Sequence, residues 1–418
     1  MKWVMGLLLF ALALGVALPG TVRLGLADLP GPADEDLALV PPGRTPEPNA
    51  FDALMRAAQA LPETDALLET DAFQRTDAVP EADDLDATVR ERLLAEPFEP
   101  EAAEALLDAH REVLTHFEAA LAAPGFRMPV VAWDEDLPNV QGWFTAARLH
   151  ALSVRHDFEG RPDRSAGPAV RALLELGQSL QADPAATWVH WIAGAEFKEV
   201  ALRTLIASTA TWRPTPGASH AWSRTLETFL SKPEDERSAW AGEYRATRAS
   251  LLESTPSSRG FYSFQPNRTL ALQAKQFRSL QARAGHACAE LEPEPEALES
   301  PSTLSLFLRG LRPNAVGEIL VEVARPSGNR FALRRCAADT LLAATRLAIA
   351  LAASKHETER LPRDLAELVP TYIDAIPRAA YDDTLLRLDP SGPRIVAAGS
   401  PLPEATPTQQ SPEYRLPF

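Results

Sequence analysis

The sequence predicts a mainly α-helical protein with an N-terminal membrane helix, a multi-helix body, and a C-terminal long helix with a small β-hairpin. Three observations predict it. Residues 3–22 carry no charged side chain, apolar residues recur at helical spacing from residue 49 to about 291, and an Ala/Leu-rich stretch over 331–354 is followed by two short strand-like segments.

The apolar run lies between Lys2 and Arg23, and about 20 such residues are needed to cross a bilayer core. A secretory signal has a shorter apolar stretch and a small-residue cleavage site, for which Gly25 and Ala27 offer only a late candidate. Residues 1–27 are therefore expected to be an uncleaved anchor, with a cleaved signal as the alternative. Lys2 on the short side points inward, which places the body in the periplasm on a single-pass inner-membrane anchor. Residues 28–48 are rich in Pro, Gly and Asp and are read as an extended spacer.

The helical body is expected over 49–291. Asn49 with Asp52 three positions on resembles an N-cap, and Phe51, Leu54, Met55 and Ala58 then share one helical face. Further helices are expected over 101–121, 139–154 and 168–180. Asp183 followed by Pro184 reads as the start of the most apolar helix, carrying Trp188, Trp191, Ile192, Val200, Leu205 and Ile206. Helices over 219–230, 233–252 and 268–291 complete the body.

The acidic, Pro-containing stretch 292–296 opens a C-terminal module over 292–400. Its long helix over 331–354 contains Arg334, Arg335, Asp339 and Arg346, which argues against a second membrane span. Segments 384–388 and 394–398, joined through Asp389, Pro390, Ser391, Gly392 and Pro393, read as the hairpin, and 401–418 as a flexible tail. Cys288 and Cys336 are too few for a disulfide framework. They form either one bridge or two separately buried thiols.

Between these elements, Leu361, Pro362, Leu365, Glu367, Leu368, Val369, Pro370, Tyr372, Ile376 and Pro377 form a segment that resembles one following a long helix in type II secretion pseudopilin-like sequences. A similar segment ends many membrane-anchored helical proteins of Gram-negative bacteria, and Asn314, Ala315, Val316, Gly317, Glu318, Ile319 and Leu320 resemble a second element of them. The resemblance implies a membrane-anchored envelope protein or a secretion-apparatus component. Pilus-like assembly is not carried over, because the apolar segment lacks the glutamate of pseudopilins. Nor is a metal role carried to Asp382 or Asp383, where the family's usual sequence is replaced. Leu365, Leu368, Val369, Tyr372 and Ile376 are expected to fold back over the long helix.

Composition narrows the function classes. The 418 residues are 45% hydrophobic and carry 57 acidic against 41 basic side chains, a net charge of −16, which argues against nucleic acid as a partner. The eight histidines are scattered with no His-Glu-x-x-His; His110 and His116, like His150 and His156, are six apart and fall on different helical faces. His190 is the most distinctive of them and is read as a buried imidazole, Trp188, Trp191 and Trp212 as core, and Trp133, Asp134, Glu135 and Asp136 as a solvated loop. No Gly-x-Ser-x-Gly elbow, phosphate loop or dinucleotide fingerprint occurs. No catalytic, cofactor-binding or metal-ligating residue is assigned. The expectation is a noncatalytic envelope protein with a helical interaction or scaffolding body, its partners the membrane and another envelope protein, the rival being a periplasmic enzyme whose site is assembled from distant residues.

Overall fold

A computed structural model of the chain describes residues 30–38, 44–61, 85–95, 97–129, 139–160, 167–253, 264–293, 314–323, 325–389, 392–400, 402, 405–410 and 412–417. The expected anchor, the Trp133 to Asp136 stretch and most of 292–296 lie outside them. In chain order the helices are α1 (Glu35–Ala38), α2 (Ala50–Gln59), α3 (Leu85–Leu94), α4 (Pro100–Ala109), α5 (Arg111–Ala122), α6 (Val140–Gly160) and α7 (Gly167–Ala182). There follow α8 (Trp188–Ser208), α9 (Pro216–Glu227), α10 (Pro233–Glu253), α11 (Pro266–Ala282), α12 (Ala315–Val323), α13 (Gly328–Thr358) and α14 (Pro407–Gln410). Strands β1 (Arg387–Asp389), β2 (Arg394–Val396) and β3 (Glu413–Arg415) form one antiparallel sheet in that order. The protein is thus mainly helical with a small sheet.

Packing divides the described residues into two compact units. The larger holds those of 40–243, 283–293 and 328–418. Its centre is α8, which packs on α6, α7 and α13. At the crossing with α7 the two backbones meet at glycines: a methyl group on Gly177 would lie 2.6 Å from the Gly194 carbonyl oxygen, and one on Gly194 would overlap the Gly177 oxygen. Only Gly allows so close an approach. Trp191 is buried against Phe331 of α13 with ring centroids 4.3 Å apart, and Phe331 lies 4.8 Å from Trp240 of α10.

Three helix boundaries differ from the sequence reading for identifiable reasons. Asp183 does not open α8: its carboxylate accepts from the Ala185 N–H at 3.0 Å, which holds a turn, and also from the Met128 backbone N–H at 2.6 Å and Arg127 at 3.2 Å. The chain turns there, and Thr187 and His190 form the cap of a helix that starts at Trp188. The single helix expected over 101–121 breaks at His110, whose φ of −118° and ψ of 29° leave the helical region. The helix expected over 268–291 ends at Ala282, where Gly285 adopts a φ of +77° suited to glycine.

The long helix α13 is apolar and long enough to cross a membrane, but its residues Leu341, Leu342, Ala344, Leu347, Ile349 and Leu351 are buried in this unit. The segment after it folds back as expected. Leu368 and Ile373 are fully buried, Tyr372 donates from its hydroxyl to Glu357 at 2.7 Å, and Ser219 of α9 donates to the Tyr372 carbonyl at 2.7 Å. Val369, expected to be covered with them, is 36% exposed. The expected hairpin gains a third strand from the segment read as a flexible tail: Ile395 of β2 pairs with Tyr414 of β3, and both are buried. Cys288 and Cys336 are bridged, with Cα atoms 6.4 Å apart, tying a 3-10 turn (Cys288–Glu290) to α13.

The smaller unit holds the described residues of 1–39, 244–282 and 294–327. Part of the segment read as an extended spacer is docked within it. Asp34 accepts from the Tyr244 hydroxyl and from Arg248 at 3.1 Å, Arg278 pairs with Asp36, and Leu37 of α1 is buried. Buried Asn314, at a φ of 64°, accepts from the Gln265 N–H at 2.8 Å and the Thr269 hydroxyl at 2.9 Å, joining α11 to the start of α12.

Candidate functional site

In the larger unit, α3, α6, α8 and α13 enclose a cleft of about 580 Å³, within the size range of small-molecule sites. Helical spacing builds it. Gln141, Phe144 and Arg148 stand at i, i+3 and i+7 on α6, and Glu196, Glu199, Val200 and Arg203 at i, i+3, i+4 and i+7 on α8, so each set faces one side. Arg90, Leu93 and Leu94 come from α3 and Arg334 from α13.

Arg148 is 7% exposed and bridges Asp86 to Glu196. Burial works against its charge, but Glu196 and Asp86 outweigh it and hold the guanidinium above its ordinary value. Its guanidinium also lies 5.9 Å from the Phe144 ring centroid. The other Glu196 oxygen accepts from Arg334 at 2.8 Å, Arg90 reaches Asp86 at 3.1 Å, and Arg203 donates from Nε to Glu199 at 2.8 Å. Burial pushes the Glu199 carboxyl up, yet Arg203, Arg334 and Arg148 together hold it below the usual carboxylate range. Tyr381 and Tyr414 lie within electrostatic reach of Glu199; chiefly through burial, both phenols are raised above their ordinary value. Among the described residues lining the cleft there is no Ser, Cys, Thr, Lys or His.

The residues singled out in the sequence do not converge here. His190 is buried and caps α8 through Nδ1, 2.9 Å from the Thr187 hydroxyl. His110 sits at the α4–α5 junction with Nδ1 2.9 Å from the Leu106 carbonyl, and His116 lies 3.9 Å from Glu112. Trp191 is core, Trp212 packs partly buried against Trp222, and Trp188 hydrogen-bonds Glu243, whose carboxyl burial pushes up to about 7. The buried Lys198 points its ammonium to Gln178 at 2.6 Å and the Phe229 carbonyl at 3.0 Å, and burial draws it down to about 8. Among the described residues no group of three or more His, Cys, Asp or Glu is placed to hold a metal ion. The cleft residues escaped sequence reading because their signal, charges repeating at i, i+3 and i+7 on α8, is also that of a solvated face.

Burial pulls both His150 and His190 down to about 4. Their folded pKa lies below the unfolded value of about 6.5, so the neutral rings favour folding near neutrality. This contribution is lost as pH falls from about 6.5 toward 4, where the unfolded chain takes up protons that the folded one does not. The loss in unfolding free energy between pH 7 and pH 5 is expected to be about 2 kcal/mol smaller in His150→Leu than in the unaltered protein. Urea titrations of the two at both pH values check this, and equal losses would contradict it.

Fold and cleft together define a mainly helical protein carrying a charged cleft of ligand size. Comparison of the chain with protein-family models, curated proteins and solved structures gives no match.

Proposed function

We propose that the chain is a noncatalytic protein of the bacterial envelope, held at the inner membrane by residues 3–22 with its body in the periplasm. There the helical body serves as an interaction or scaffolding module. The observation that carries this reading is the Cys288–Cys336 bridge, because structural disulfides form and persist in oxidising compartments outside the cytosol. The uncharged run 3–22 supplies the tether. A binding role is supported over a chemical one by the cleft, whose two carboxylates are both engaged by guanidinium groups and so suit ion pairing better than proton transfer.

Membrane fractionation under high salt and carbonate, run on non-reducing gels, tests the reading. The full-length chain is expected to stay in the membrane pellet and to migrate as the oxidised form. Full-length protein in the soluble fraction would contradict the tether, and a mature N terminus produced by prepilin-type processing would replace this reading with that of a secretion component.

A further inference from the structure

We propose that the cleft between α3, α6, α8 and α13 binds a small organic anion, a carboxylate or phosphate group carried on an apolar body. The first ground is an imbalance of hydrogen-bonding capacity. Both oxygens of Glu196 are taken, one by Arg148 and one by Arg334, and Glu199 is engaged by Arg203. A guanidinium has five N–H donors, whereas among the described residues Arg203 uses Nε on Glu199 and Arg334 uses Nη2 on Glu196. What the cleft offers a ligand is therefore donor edges, in the fork geometry that matches carboxylate and phosphate.

The second ground is charge. Four guanidinium groups line the cleft against two carboxylates, and the buried Asp86 behind Arg148 still leaves the set one positive charge in excess. This occurs on a chain of net charge −16. Arg203 and Arg334 are 45% and 42% exposed, so their edges are open to a ligand, while buried Arg148 fixes the frame behind them. The third ground is shape: Leu93, Leu94, Phe144 and Val200 give the same cleft an apolar wall against which a hydrocarbon or ring can pack. The inference does not depend on the cellular address, and the fractionation experiment leaves it untouched.

Calorimetric titration of the full chain in detergent tests it with benzoate and phenyl phosphate as probes, and with benzylammonium and inorganic phosphate as contrasts. At least one of the two organic anions is expected to saturate a single site, and the tighter of them identifies the anionic group preferred. Arg203→Gln and Arg334→Gln are each expected to weaken it about tenfold or more, both being exposed enough for the fold to tolerate the change. Arg171→Gln, which removes the same charge from an exposed pair on α7, should leave it unchanged. Absence of saturable binding by both organic anions, binding insensitive to both cleft variants, or equally tight benzylammonium would overturn the proposal. Inorganic phosphate binding as tightly as phenyl phosphate would overturn the assignment of the apolar wall.

Discussion

Replacing Arg148 with Met is expected to destabilise the protein by about 3–5 kcal/mol, the range for removing one member of a buried ion network. The arginine is the link between Asp86 on α3 and Glu196 on α8, and all three side chains are largely buried. Without it two carboxylates remain desolvated with fewer partners. Glu196 keeps Arg334, and Asp86 keeps Arg90 and a 3.2 Å bond from Thr145, which sets the expectation at the lower end of the range. Adding Asp86→Leu and Glu196→Gln to Arg148→Met should recover much of the loss, because a buried network replaced as a whole by apolar or neutral groups is often close to neutral. Urea unfolding of the single and triple variants measures both. A single variant within 1 kcal/mol of the unaltered protein would show that solvent already compensates these charges.

The second large effect is expected at Trp191, where truncation to Ala should cost about 3–5 kcal/mol. The ring is 1% exposed and packs at a tilt against Phe331, which in turn meets Trp240, so one side chain joins α8 to α13 and, through it, to α10. A cavity there cannot close easily, since the Gly177 and Gly194 crossing already holds α7 and α8 at backbone contact. Trp212→Ala is the comparison. That ring is only partly buried and should cost clearly less. Equal melting temperatures for Trp191→Ala and the unaltered protein would contradict the placement of α8 at the centre.

Helical periodicity made most of the body legible, since Leu54 and Ala58 on α2, and Val113, Leu114 and Phe117 on α5, recur at spacings that a helix turns into one buried face. What escaped was decided by distant partners. Asp183 looks like the cap of a long helix, but its carboxylate holds only a turn through the Ala185 N–H and is shared with Met128 and Arg127, more than 50 residues earlier. Asp34 stands in a Pro-rich stretch that reads as extended until Tyr244 and Arg248 are brought to it. Tyr414 sits in a Pro-flanked tail with too short an apolar pattern to suggest a strand, and Ile395 supplies the partner. The cleft escaped for the same reason. Arg90, Arg148, Arg203 and Arg334 are each ordinary surface charges in sequence, and only the packing of four helices gathers them.

The most direct test of the proposed address is proteolysis of spheroplasts with an intact inner membrane, read with an antibody to the body of the chain. A periplasmic body on a membrane tether predicts that protease added outside removes it while a cytoplasmic control protein survives. A body that remains protected until the membrane is lysed would contradict the account.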